Sequence, residues 1–269
     1  MPATSVHDHP RGYRIVFEEE THAYYTILTG KASSAASAPP QVRVDYTSGT
    51  TFVHRFCPPF DPDGRIAERK AREAGVSPEQ IRFAWRQKGA EACAMGTRVH
   101  ETCEDILRGR PFRNAPADAH ERKLMAAGWD ACRRIASEYD ILGIEQMVGD
   151  VDCEIAGTID LLVRHRKTGA VGIFDWKTNE KVEFTNNFRT GSRLKEPVAH
   201  LHNCSGVLYA LQLNLYQYLL VKAGYLPRDT RFERTIIHLT EGGPVFHALP
   251  DLQVEVRDMV IFALEQQIF

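Results

Sequence analysis

The sequence predicts an α/β fold in which a mixed β-sheet is flanked by α-helices, preceded by an N-terminal β-hairpin extension. Three observations predict it. Helical pattern fills most of 64–140, β-branched and aromatic runs over about 144–177 read as a meander of strands, and an apolar helix, two strands and a last helix follow. Helices, then strands, then helix and strands, imply one sheet covered on its faces. The expected division is an extension and linker over 1–62 and a main domain over 63–269.

Residues 13–18 (YRIVFE) and 23–28 (AYYTIL) flank a short polar turn and form the hairpin. The Ser/Ala/Pro run 31–40 is a linker or long loop, and 41–53 holds another strand and a turn. Pro58, Pro59 and Pro62 break the chain before a helix at about 64–75. Ser77-Pro78-Glu79 joins a capping hydroxyl, a proline preset for the first turn and an acid near the positive end of the helix dipole. A helix therefore starts there and runs to about Leu107, with Gly89 or Gly96 as places for a break. Another helix covers about 117–140, and strands follow at about 144–153, 155–165 and 170–177. A polar segment, 178–205, has weak periodicity. An apolar helix at about 206–223, strands at 232–239 and 244–248, and a helix from about 251 complete the chain.

With 269 residues, 43% hydrophobic and 25% charged, the chain can bury a sizeable core. Its net charge of −2 excludes a global basic signature, so any nucleic-acid surface must be local. Basic clusters occur at Arg108, Arg110 and Arg113, at Arg164, Arg166 and Lys167, and at Arg189, Arg193 and Lys195. Six scattered cysteines without CxxC spacing argue against a zinc ribbon and for reduced thiols. Neither a secretory start nor a membrane-length apolar run is visible, which points to a cytoplasmic protein that does not engage a membrane.

The chemistry concentrates in two predicted strands. Gly157-Thr158-Ile159-Asp160 lies in the first, and Val171-Gly172-Ile173-Phe174-Asp175-Trp176-Lys177 follows a turn. Alternation puts Asp175 and Lys177 on one face and Phe174 and Trp176 on the other, and a hairpin sets Asp160 beside Asp175. Two converging carboxylates repel each other, and a divalent cation relieves the repulsion; oxygen-rich sites suit Mg²⁺ or Mn²⁺. A lysine beside them can orient water and steady phosphate charge, which is the equipment for cleaving a phosphodiester. Two other acid-x-Lys triplets, Glu68-Arg69-Lys70 and Glu121-Arg122-Lys123, fall in helical pattern and read as solvated faces. The competing reading of Asp175 and Lys177 is a structural ion pair at a strand end.

Upstream, His100 and Glu104 stand four apart on one helical face, so Glu104 can orient an imidazole ligand as its hydrogen-bond acceptor. Downstream, Gln212 and Tyr216 stand four apart in the apolar helix, beside a stripe of Leu208, Leu211, Leu215 and Leu219. The Gln212 amide needs a partner, from the protein or from a substrate phosphate or base.

Taken in order, Gly96-x-x-x-His100-x-x-x-Glu104, Gly157-Thr158-x-Asp160 with Asp175-Trp176-Lys177-Thr178, and Gln212-x-x-x-Tyr216 resemble the RecB-like branch of the PD-(D/E)XK nuclease superfamily. Within it they look most like phage and viral exonucleases and the mitochondrial genome maintenance exonuclease. Thr47-Ser48-Gly49-Thr50-Thr51, Pro58-Pro59-Phe60 and the tract 197–218 share that likeness, which spans about 12–225. The resemblance implies a restriction-endonuclease-like core. It also implies His100, Asp160, Asp175 and the Trp176 carbonyl as metal ligands, Lys177 as the catalytic lysine, and Gln212 and Tyr216 as substrate contacts. Glu145 matches an acidic position before the first core strand. No cysteine follows Cys204, so no iron–sulfur cluster is expected, and without a GxxxxGK[ST] loop a motor would come from a separate helicase or recombination protein.

The expected activity is a Mg²⁺- or Mn²⁺-dependent DNA exonuclease acting on single strands or DNA ends in replication, recombination or repair, in the cytoplasm of a bacterial or phage-infected cell. A structure-specific or nicking endonuclease and a non-catalytic DNA-binding module are the alternatives. Segment 178–205, with Arg189, Arg193 and Lys195, reads either as a mobile basic flap over the strand or as a disordered loop.

Overall fold

The computed structural model describes residues 4–29, 41–61, 64–185 and 192–268; the expected linker 31–40 and Arg189 lie outside them. The strands are β1 (Thr4–Asp8), β2 (Arg14–Glu18), β3 (Ala23–Thr29), β4 (Gln41–Ser48), β5 (Tyr139–Asp150), β6 (Ile155–His165), β7 (Val171–Lys177), β8 (Phe232–Thr240) and β9 (Gly243–Ala248). The helices are α1 (Gly49–Arg55), α2 (Arg65–Ala74), α3 (Pro78–Arg108), α4 (Ala119–Glu138), α5 (Ser205–Lys222) and α6 (Gln253–Gln266). Among the described residues the strands make one mixed nine-stranded sheet in the order β1-β2-β3-β4-β6-β7-β8-β9, with β5 also paired to β6. The predicted class, a mixed sheet flanked by helices with a β-hairpin at its N-terminal end, is what the chain adopts.

Two apolar layers sandwich the central strands. Phe174, Trp176, Leu161 and Val163 pack against Val99, Leu124 and Ile135 of α3 and α4. Ile173, Ile159 and Ile236 pack on the other side against α5, α6 and α1. Strand alternation thus divides β7 between two cores and leaves Asp175 and Lys177 together at its end. No helix among the described residues is long and apolar enough to cross a membrane.

Several expectations need correction. The turn predicted after Ser48 is α1, started by the Ser48 hydroxyl accepting from Thr51 N–H. The helix from Pro78 runs unbroken through Gly89 and Gly96 to Arg108, opened by the reciprocal Ser77–Gln80 capping box. An additional strand, β1, precedes the hairpin, and β5 begins at Tyr139, directly off α4. In α5 the buried positions are no single stripe. Leu213 and Asn214 are buried as fully as Leu211, Leu215 and Leu219, and Tyr216 and Gln217 are buried too, because the helix lies between the sheet and α6, whereas Leu208 is only half-buried.

The basic segment also behaves differently from a flap over 192–204. Leu194 and Val198 are buried in the α5 core. The Lys195 N–H donates to Phe56 O at 2.7 Å and its Nζ to Arg55 O at 3.1 Å. The Arg193 guanidinium donates to the His200 carbonyl at 2.6 Å. Two apolar anchors and Lys195 dock this stretch onto the core and the C-terminal end of α1, while Arg193 ties the stretch to itself.

Candidate active site

The site is built at the end of β7. The β5–β6 register pairs Ile144 with Leu161 and Gln146 with Ile159, so Glu145 stands across from Asp160. The β6–β7 ladder ends at Leu161–Phe174, one residue before Asp160 would meet Asp175. There the Asp160 carboxylate replaces the missing rung, its Oδ2 accepting from Trp176 N–H at 2.9 Å. Glu145, Asp160 and Asp175 therefore form a row across three neighbouring strands. Glu145 holds a left-handed backbone, φ 53°, within that row.

Lys177 pairs with the buried Asp175 carboxylate. From α3, His100 brings Nδ1 to 3.4 Å from Asp160 Oδ2, and the Trp176 carbonyl accepts from the imidazole. Gly96, one turn earlier, lies against the same strand end: a Cβ there would be 3.3 Å from Thr178 Oγ1, a tight contact to which the hydroxyl would have to yield by a few tenths of an ångström.

Burial, then mutual repulsion, sets the electrostatics. Burial and the neighbouring Asp160 raise Asp175 to about 6, and burial raises Asp160 as well. Burial, Asp160, Glu104 and Asp175 push Glu145 up to about 8. Burial draws the Lys177 ammonium down, but Asp175 and Asp160 outweigh it and leave it raised. Burial and then the Lys177 charge hold His100 neutral, at about 4.

Gln212 Nε2 donates to the Tyr216 hydroxyl at 3.0 Å, so the amide's partner is the other member of its own motif. The Tyr216 ring is buried against two motif glycines. A Cβ at Gly157 would meet its Cε1 at 2.6 Å, and one at Gly49 at 2.8 Å. The tyrosine thus clamps the start of α1 to β6 beside Asp160. Glu104 has partners other than the imidazole expected for it: Arg108 at 3.0 Å and Arg113. Arg193 and Lys195 are docked as described above, away from these carboxylates in the hydrogen bonds they make.

Two residues that sequence reasoning passed over belong here. Lys177 Nζ lies 4.8 Å from the centre of the Tyr209 ring. Tyr209 stands three residues before Gln212, and that spacing was the available signal. Tyr24 donates or accepts a 2.9 Å hydrogen bond with Thr158, so the N-terminal hairpin reaches the Gly-Thr-x-Asp strand.

A mixed sheet that ends in a row of carboxylates beside an ammonium and an imidazole has the chemical groups that hydrolysis of phosphate esters calls for. Comparison with known families gives the particular lineage: the sequence model of the PD-(D/E)XK nuclease superfamily matches residues 71–261, well over half of the chain, and the chain belongs to that superfamily. No curated protein matches it.

Proposed function

We propose that the chain is a metal-dependent DNA exonuclease of the RecB-like branch, hydrolysing phosphodiester bonds in single strands or at DNA ends during replication, recombination or repair. The observation that carries the reading is the row Glu145–Asp160–Asp175 with Lys177 beside it, set at one sheet end by strand register. In this reading residues 63–269 form the nuclease domain and 1–62 an extension that shares its core through Phe52 and Phe56 of the α1 region.

His100, Asp160, Asp175 and the Trp176 carbonyl would hold Mg²⁺ or Mn²⁺. The donor chemistry fits, being oxygen-rich with one neutral imidazole. The donors are not drawn into a finished cage: among the described residues no three His, Cys, Asp or Glu side chains converge as one. Lys177 occupies Asp175, and Trp176 N–H occupies Asp160. When bound, the cation supplies Lewis-acid activation of water and neutralises phosphate charge. Lys177, steadied by Asp175 and the Tyr209 ring, presents an ammonium to the phosphate oxygens and orients the attacking water. Neutral His100 keeps a lone pair available. Buried Tyr216 supports the wall beside Asp160 and orients Gln212, the half-buried member of the pair, toward the substrate strand, so the direct contact expected of Tyr216 becomes a supporting one.

The test is cleavage of end-labelled linear and circular single-stranded DNA with Mg²⁺ or Mn²⁺. Linear strands should be degraded from an end and circles spared, and Lys177→Ala should lower the rate about 10²-fold or more while binding persists. Binding without cleavage by the native chain would sink the reading, and cutting of circles would make the enzyme an endonuclease.

A further inference from the structure

We infer that the outer half of α3, with Phe60 and Asp61 beside it, is a stacking platform for single-stranded DNA lying outside the scissile site, an inference that rests on the nuclease reading above. Residues 83–94 of α3 are exposed at every position, for about three turns. A helix exposed all round wins nothing from the core, and here it carries large aromatics. Trp85 is 37% exposed and Phe60 73% exposed, and their rings meet edge to face with centroids 5.7 Å apart. With Arg82, Arg86 and Asp61 they line an open hollow of about 480 Å³.

Charge selects the occupant. Residues 65–88 carry seven Lys/Arg against three Glu, although the whole chain is −2. Of the acids nearby, Asp61, Glu73 and Glu79 are already engaged. Asp61 caps α2 by accepting from Ile66 and Ala67 N–H, Glu73 pairs with Arg69 and Lys70, and Glu79 pairs with Arg82. Exposed aromatic faces beside guanidinium groups are suited to unpaired bases and the phosphates between them, and they read no sequence.

The platform is continuous with the site. Arg82, Arg86, Gly89, Cys93 and His100 recur at three- and four-residue spacing or whole multiples of a turn, so they share one helix face. Nothing lies within 4 Å of a Cβ built at Gly89, which leaves that face open. From Arg86 to His100 the helix rises about 21 Å, roughly six nucleotides of a strand that keeps the stacked spacing of about 3.4 Å. A strand whose phosphate lies at Asp160 and Asp175 therefore reaches Trp85 only if it extends about that far.

The experiment measures binding of fluorescent oligo-dT to the full chain in EDTA, with lengths of about 4 and about 16 nucleotides bracketing that reach. The long strand should bind the native chain more tightly. Trp85→Ala should weaken the long strand by roughly tenfold to a hundredfold and leave the short one unchanged, as expected for lost base stacking. Phe60→Ala, from a separate segment, should act in the same direction, and Trp85→Phe should retain most of the affinity. Equal affinity of the native chain, Trp85→Ala and Phe60→Ala for the long strand would overturn the platform, as would an equal loss on duplex DNA of the same length. Cleavage of linear DNA with Mn²⁺, assayed in parallel, reports the nuclease reading separately. No cleavage by a native chain that still shows Trp85-dependent binding would remove that reading and keep the platform.

Discussion

Gly157→Ala asks whether the Tyr216 ring dictates the glycine of Gly-Thr-x-Asp. The added methyl would lie 2.6 Å from Tyr216 Cε1, 2.9 Å from its hydroxyl and 3.1 Å from Cζ. Carbon atoms pack best at about 3.5–4.0 Å, so the ring must retreat by about 1 Å. It has little room, because it is buried in the α5 core and holds Gln212 by its hydroxyl. Overpacking of this kind costs about 1–3 kcal/mol. In a chain of this size that lowers the thermal midpoint by about 2–4 °C per kcal/mol. The assay is urea and thermal unfolding of the native chain, Gly157→Ala, Tyr216→Ala and the double variant. Gly157 is not among the positive-φ glycines, so alanine suits its backbone and the clash is the whole objection. The cost of Gly157→Ala should therefore vanish once Tyr216 is cut back, a coupling of about 1 kcal/mol or more. An undiminished cost in the Tyr216→Ala background would refute the argument.

Four further outcomes follow from the structure. Glu121 is buried and held below the usual carboxylate range by its two-pronged bond with Arg98, both contacts at 2.8 Å. Its stabilisation is fully present above the unfolded carboxylate value and fades as pH falls through the lower folded value; Glu121→Gln should cost about 1–3 kcal/mol in urea unfolding at pH 7 and much less in acid below that folded value. Mn²⁺ should raise the thermal midpoint of the native chain, by about 2.7 kcal/mol of stability at a hundredfold excess over its dissociation constant, and an Asp160→Asn chain should show less of this gain at the same concentration. Leu194→Ala should cost about 2–5 kcal/mol in urea unfolding, because Leu194 anchors the docked segment in the core, whereas Lys195→Ala should cost about 1 kcal/mol, a single bond to a carbonyl. Tyr209→Ala should slow cleavage more than Tyr209→Phe does, since the ring and not the hydroxyl faces Lys177; equal losses in single-turnover rates would remove the ring contact.

Much of the site could be read from residues because strand physics is local. Alternation alone separates Asp175 and Lys177 from Phe174 and Trp176, and the two sides do enter different surroundings. The start of α3 was equally plain, since capping chemistry is written within four residues. What escaped depends on packing partners distant in sequence. Gly96 looks like a helix interruption until Thr178 is seen opposite it. Glu104 shares a face with His100, yet Arg108 and Arg113 compete for it more strongly. The polar segment concealed its anchors because Leu194 and Val198 are only two apolar residues, four apart, whose value comes from a core built by α5. Glu145 offered no local sign of its place, which follows only from the β5–β6 register.

Hydrogen-bonded strands stand about 4.7–4.9 Å apart, and this spacing is a property of the peptide backbone, not of any side chain. Because Glu145, Asp160 and Asp175 occupy matching positions on β5, β6 and β7, the Cα atoms beneath the outer two acids are set about 10 Å apart by the sheet itself. The acids thus work like marks on a fixed ruler: side-chain rotation can trim the gaps between them, but a one-residue slip of either hairpin would turn an acid to the opposite face and erase a mark altogether.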